Sequence, residues 1–201
     1  MYKYEYSNEL ATLVKQFLIE DDWHFSFDEN TGVFDFGLRI KGKIQNINYM
    51  IIVHKKDIVV YGICPIGVDD SDANIMAEMA KFICRTNDKI KNGCFQLDFS
   101  DGEIRFKSFI DCDESIPSNK VIENSIYCTA AMFKQYSSDI VDIILSRCTA
   151  EEVAAKDKKS SKDNLCSVNM EETDETIQNT DIEGMLARLA TRFGIIENNE
   201  S

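Results

Sequence analysis

The segment from Phe82 to Glu114, FICRTNDKIKNGCFQLDFSDGEIRFKSFIDCDE, constrains the fold more than any other part of the chain. It has the pattern of a helix end, a break at Gly93, a strand, an Asp101-Gly102 turn and a returning strand. Asp-Gly between alternating apolar runs is the strongest short-range hairpin signal, because both central residues of such a turn take positive φ. The segment therefore predicts a helix followed by a β-hairpin with a two-residue turn.

Hydrophobic spacing predicts the elements on either side of this hairpin. A helix capped by Ser7 precedes four strands over residues 23–27, 33–41, 44–54 and 57–64, whose short links imply an antiparallel meander. A second helix leads into the hairpin, and a third long helix begins near Pro117. This order predicts an α+β fold, in which an antiparallel sheet of five to six strands carries helices packed on one face.

Three parts of this pattern resemble the YbjN family: the helix that closes with an Asn, the G-x-F-x-L-D strand and the D-G-E-I-R-F return. That bacterial family is described as sensory-transduction regulators with a fold like that of type III secretion chaperones. The resemblance covers residues 23–155 and implies a binding role without chemistry. The family has one strand fewer before its second helix, so residues 23–27 are expected to form a short edge strand.

Chaperones of this fold typically dimerise, so the resemblance also implies a homodimer. In such a dimer the second helix is expected to turn an apolar stripe toward the partner subunit, formed by Ile75, Met79, Phe82 and Ile83.

The C-terminal quarter of the chain lies outside this resemblance. Residues 1–155 are expected to form the α+β domain, and residues 156–179, rich in Lys, Ser, Asp and Glu, a flexible linker. The spacing of apolar residues in 180–196 then predicts an amphipathic helix with a capping box at its start. Its apolar face is a candidate protein-docking surface, formed by Ile182, Met185, Leu186, Leu189 and Phe193. Docking on its own domain and docking on another chain fit this pattern equally well.

Composition limits the classes of partner. The formal net charge of −13 argues against nucleic-acid binding, which needs clustered Lys and Arg, and favours basic partners. No apolar run is long enough to span a bilayer, and the first residues lack a signal-peptide core, so the chain is expected in the cytoplasm without membrane contact. The seven cysteines include no C-x-x-C pair and are expected to be structural thiols.

Asn87 falls on the buried stripe of the second helix, four residues after Ile83. A buried amide must find hydrogen-bond partners or cost a few kcal/mol. We therefore expect Asn87 to join the helix end to the hairpin backbone, and we expect Gly93, Asp101 and Gly102 to have structural roles as well.

Two acid clusters each have a structural and a functional interpretation. Asp111 and Asp113 fall on one side of a strand end, where they could hold a divalent ion, but a solvated strand exit is the simpler interpretation. Asp69, Asp70 and Asp72 are expected to cap a helix.

No known catalytic motif occurs, and neither His24 nor His54 has a Ser, Cys or acid at catalytic spacing. The sequence therefore predicts a non-enzymatic protein-interaction module without cofactors. The alternatives are an immunity- or antitoxin-type inhibitor and a small-molecule or metal sensor.

Overall fold

A computed structural model describes residues 5–163, with side chains to residue 156. Its helices are α1 (Asn8–Glu20), α2 (Ala73–Asn87), α3 (Asn119–Ile144) and α4 (Ala150–Asp163). Its strands are β1 (Phe25–Asp28), β2 (Val33–Arg39), β3 (Asn46–Val53), β4 (Asp57–Ile63), β5 (Cys94–Leu97) and β6 (Ile104–Asp111). The predicted α+β class is confirmed.

The six strands form one antiparallel sheet in the order β1-β2-β3-β4-β6-β5. The meander β1 to β4 is contiguous in sequence, and β1 is the short edge strand expected for residues 23–27. The hairpin β5-β6 joins through β6, which pairs with β4 over seven residue pairs from Asp57↔Asp111 to Ile63↔Arg105. Strand β5 is therefore the second edge.

All four helices lie on one face of the sheet, because side chains alternate and only one set is apolar throughout. That inner face carries Phe34, Tyr49, Val60 and Phe106, all fully buried. Helix α3 is central: the Tyr49 hydroxyl donates to the Ile126 carbonyl oxygen at 2.7 Å. A Cβ on Gly62 would lie 2.2 Å from Thr129 Cγ2, so the glycine lets α3 approach β4 closely.

The hairpin is present, but its predicted two-residue turn is wrong. Gly102 has positive φ (73°) and Asp101 does not. The Asp98 N–H donates to the Glu103 carbonyl oxygen, so the loop spans four residues between this pair. The Asp98 carboxylate selects the longer loop by accepting from the Ser100 N–H at 2.9 Å and from its hydroxyl at 2.6 Å, which is an Asx turn.

Helix α4 corrects the expected linker. It continues to Asp163, so residues 156–163 are helical where a flexible linker beginning at Lys156 was expected. The first turn of α4 lies against α2: the Glu78 carboxylate accepts from the Ala150 N–H at 2.9 Å, and Arg85 pairs with Glu151 at 2.9 Å. Tertiary contacts thus extend a helix into a sequence whose composition alone indicates a coil.

The apolar stripe of α2 is not available to a second subunit. Met79, Phe82 and Ile83 are at most 7% exposed and belong to the core of their own chain, and Ile75 packs against that core. The expectation that this stripe faces a partner in a homodimer is therefore wrong. Helices α3 and α4 and strand β5 pack against α2.

Candidate functional site

The face of the sheet opposite the helices, called here the outer face, carries a band of apolar side chains. Register places these side chains in rows across the central strands: Ile52, Val59 and Phe109 form one row, Met50 and Tyr61 lie in the next, and Ile63 follows. No helix among residues 5–163 packs on this band.

Phe109 is the most exposed side chain of this apolar band. Its side chain is 56% exposed, and it lies on the part of β6 that extends beyond the end of β5. Its cross-strand neighbour Val59 is only 6% exposed, yet it does not belong to the core beneath the helices. The outer face therefore has a small apolar cluster of its own. The other members of the band are buried or half-buried, so its exposed apolar surface is centred on Phe109, and exposed apolar surface of this kind often marks an interaction site.

Two cations border the aromatic part of this band. The Tyr61 ring lies 5.4 Å from Arg105 Cζ and 5.9 Å from Lys107 Nζ, measured from its centroid. Arg105 is in turn 3.2 Å from a Glu103 carboxylate oxygen. The cations cover part of the ring and give the outer face a basic margin in a chain with a net charge of −13.

A notch opens beside the outer face because β5 is shorter than β6. Strand β5 pairs with residues 104–107, and its first residue, Cys94, lies opposite Lys107. Gly93, at φ 81°, turns the chain away from β6, and a Cβ there would lie 2.7 Å from the Lys107 carbonyl oxygen. Among residues 5–163, no strand therefore lies beside residues 108–111 of β6 on the side away from β4.

The notch is a cavity of about 380 Å³ between this bare edge and α3. Phe109 and Asp111 line one side, Val121, Asn124 and Ser125 the other, and Asn92 one end. The Asn124 Oδ1 atom is buried and accepts no hydrogen bond from the residues described. A buried acceptor without a donor is costly unless a ligand or water supplies one.

Asn87 lies beside the outer edge of β5, on the side away from β6. Its side-chain amide donates to the Phe95 carbonyl oxygen at 2.9 Å, and its Oδ1 accepts from the Phe95 N–H at 2.8 Å. Asn87 is half-buried rather than fully buried as its position on the stripe indicated. Its structural interpretation nevertheless has a direct geometric basis: one amide pairs with both backbone groups of a strand residue.

The acid cluster at the end of β6 is engaged within the chain. Asp111 Oδ1 accepts from the Asp113 N–H at 3.0 Å, and Asp113 pairs with Lys56 at 2.5 Å, which raises the Lys56 pKa. Asp72 accepts from the Asn74 and Ile75 N–H groups at 3.0 and 3.1 Å and so caps α2, while Asp69 holds Ser71. Within residues 5–156, no three His, Cys, Asp or Glu side chains are placed to share a metal ion.

The thiols and histidines sit in ordinary protein environments. Burial raises the pKa of the Cys64 and Cys128 thiols to about 11, so both stay protonated at neutral pH. His24 is exposed, and His54 Nε2 lies 3.9 Å from an Asp57 carboxylate oxygen. These groups are not assembled into a nucleophile and base pair at hydrogen-bond distance.

The predicted docking residues from Ile182 to Phe193 lie outside the residues that the structure describes, so that prediction stands on sequence alone. In the described part of the chain, no helix is both long enough and apolar enough to cross a bilayer. No protein-family model matches the sequence, and no curated protein matches it.

Sequence reasoning missed Phe109, Tyr61 and Asn124. Phe109 and Tyr61 each occupy the outward position in an alternating strand, where a polar residue is expected, and this is the signal that could have found them. Asn124 gives no such signal, because the burial of its oxygen without a donor depends on packing between distant parts of the chain.

Proposed function

We propose that the chain is a non-enzymatic protein-interaction module, a YbjN-like regulator or chaperone-like binder, which holds a partner on the outer face of its sheet. The observation that supports this proposal is the apolar band that the described helices leave open, with Phe109 56% exposed at its margin. An exposed large aromatic beside an apolar band is a typical anchor of a protein interface.

The charged residues around the apolar band indicate which charges the partner carries. Arg105 and Lys107 flank Tyr61, whereas Asp35 lies opposite Met50 on the neighbouring strand, so the apolar band is bordered by charges of both signs. Such a rim sets orientation and selects partners more than it adds affinity. The acidity of the remaining surface favours a partner with net positive charge.

The homodimer implied by the family resemblance is the competing proposal for the outer face, since the α2 stripe is buried and a second copy carries the same net charge of −13. Scattering-based mass measurement at micromolar concentration distinguishes a second copy from an unrelated partner. A mass of twice the chain that falls to one chain in Met50→Asp supports the dimer on this face.

A cytoplasmic location is also proposed. The six cysteines in the described residues are free thiols, which fits a reducing compartment.

The test compares cross-linked partners of the full chain with those of two matched variants. Met50→Asp places a charge in the apolar band and is expected to abolish capture of the partner. Phe99→Ser removes an aromatic of similar exposure, 65%, at the tip of the β5-β6 hairpin, away from the band, and is expected to leave capture intact. Equal capture by Met50→Asp and the unmodified chain would refute the proposal.

A further inference from the structure

The hydrogen-bonding phase of β6 shows which of its backbone groups face the notch. The Ile104 carbonyl oxygen accepts from the Cys64 N–H, and the Cys112 N–H donates to the Lys56 carbonyl oxygen, each at 2.8 Å and each toward β4. In an antiparallel strand these directions alternate from one residue to the next. The even-numbered residues of β6 therefore pair with β4, and the odd-numbered residues point the other way.

Among the odd-numbered residues, Arg105 and Lys107 face a strand, since their β5 partners are Gln96 and Cys94, and no other described strand extends this pairing. Phe109 and Asp111 continue the same edge beyond the end of β5. Their N–H and C=O groups face the notch, and no backbone hydrogen bond from the described residues reaches them. Four backbone groups are thus presented at the spacing of an extended strand.

The two edges of the hairpin differ in their protection. On β5, the groups of Phe95 that point away from β6 are taken up by the Asn87 amide. On β6, the nearby side-chain hydrogen bonds involve other backbone groups: Cys112 Sγ donates to the Ile110 carbonyl oxygen, and Asp111 Oδ1 accepts from the Asp113 N–H. The fold closes one edge and leaves the other open beside a cavity.

We propose that the notch adds a strand: an extended segment of another protein pairs its backbone with Phe109 and Asp111, and this inference rests on the proposed function. The cavity of about 380 Å³ accommodates an apolar side chain of that segment against Val121. The Asn124 Oδ1 atom accepts from a polar side chain, which gives this buried acceptor the donor it lacks.

Charge identifies the occupant as a basic segment. Asp111 lines the notch, Asp113 and Glu114 lie two and three residues further along the chain, and Lys56 pairs with Asp113 in the part of the chain that the structure describes. A second copy of the chain would bring the same acids against each other across a short edge, so the self-association of two notches is disfavoured. A Lys or Arg of a partner segment would instead face Asp111.

The probe is a phage-displayed library of random twelve-residue peptides, selected on the full chain. We expect enrichment of sequences with alternating apolar residues and at least one Lys or Arg. Val121→Trp fills the notch from an exposed position on α3 and is expected to weaken binding of the selected peptides by about tenfold or more, the equivalent of at least one lost hydrogen bond. Phe99→Ser is the control, with unchanged binding expected.

Backbone methylation then tests the pairing itself. A selected peptide is resynthesised with N-methyl groups on one alternate set of residues, and a second version carries them on the other set. Only one set of N–H groups faces β6, so we expect one version to lose binding by about tenfold and the other to retain it.

The inference is overturned if no peptide sequence is enriched, if Val121→Trp binds the selected peptides as well as the unmodified chain does, or if the two methylation patterns have equal effects. It is also overturned if peptides are enriched only after residues 164–201 are removed, because the notch would then be assigned to the chain's own C-terminal segment. If Met50→Asp abolishes partner capture while Val121→Trp leaves it unchanged, the proposed function stands and the inference about the notch fails.

Discussion

Asn87 pairs with Phe95 as a neighbouring strand would, donating to the Phe95 carbonyl oxygen at 2.9 Å and accepting from its N–H at 2.8 Å. A single side chain thereby satisfies both outward backbone groups at the middle of an edge strand and fixes the end of α2 to the sheet. Unprotected edges of this kind pair with other chains.

Asn87→Leu is expected to lower the free energy of unfolding by about 2–3 kcal/mol, because it removes both hydrogen bonds and leaves the Phe95 groups unsatisfied at a half-buried position. Urea denaturation measures the change. Asn87→Asp keeps an acceptor for the Phe95 N–H and is expected to lose less. Asn74→Ala, at an exposed position in the first turn of α2, is the control, with a change within about 0.5 kcal/mol. Equal stability of Asn87→Leu and Asn74→Ala would contradict the prediction.

Gly102→Ala is expected to destabilise the chain by more than the roughly 1–2 kcal/mol of the left-handed backbone alone. Gly102 has φ 73°, and a Cβ there would lie 1.8 Å from the Val68 carbonyl oxygen, which is part of the backbone and cannot rotate away. Gly37→Ala is the matched control, because the nearest atom to a Cβ there is 3.9 Å away. Thermal unfolding of the two variants checks this, and a Gly102→Ala midpoint at or above that of Gly37→Ala would be inconsistent with the geometry.

Stability is expected to fall as the pH rises from about 9 to 11. Burial raises the pKa of the Cys64 and Cys128 thiols from 9.0 to about 11, so the folded chain holds these protons more tightly than the unfolded chain. The stabilisation is complete below the unfolded pKa and is lost as the pH passes the folded one, at about 1.4 kcal/mol per pH unit for each thiol. Urea denaturation at a series of pH values measures the slope.

A Cys64→Ala/Cys128→Ala double variant supplies the control for this slope. It is expected to show a shallower decline between pH 9 and 11, although the raised pKa of Tyr127 leaves a residual fall at the highest values. A slope unchanged from that of the parent would show that these thiols do not carry the effect.

Deletion of residues 177–201 is expected to shift the unfolding midpoint by no more than about 2 °C and to reduce partner capture. The described core is closed without them, since the four helices already cover the inner face of the sheet. Calorimetry and solution mass on the same sample test this. A fall of about 10 °C at unchanged mass would show instead that the predicted helix from Ile182 to Phe193 docks on its own domain.

The sequence was most informative where the local signal and the tertiary structure agree. Alternation in β2, β3 and β6 and the spacing in α1 to α3 predict those elements and most of the core. The hairpin loop departs from prediction because the Asp98 side chain competes with the Asp-Gly turn. Helix α4 departs because its stability comes from contacts with α2 through Glu78 and Arg85, more than sixty positions earlier in the chain.

The notch could not be predicted from sequence. It depends on the difference in length between β5 and β6, which is set by the positive φ of Gly93 and by the register at Lys107. Register describes which residues of two strands pair with each other, and the sequence pattern of either strand alone does not determine it. Phe109 could have been singled out as an apolar residue in an outward position, but its place beside a bare edge could not.

The crossover from β4 to β6 has a consequence for synthesis on the ribosome. The first four strands emerge as a meander with Tyr49 and Gly62 facing water, and their cover, α3, is translated only after β6 has completed the sheet. A nascent chain that stalls before Asn119 therefore exposes the apolar inner face of the sheet, which α3 covers in the complete fold. We expect truncated products that end in this interval to be bound by chaperones or degraded, so the chain reaches its stable fold only after α3 has been made.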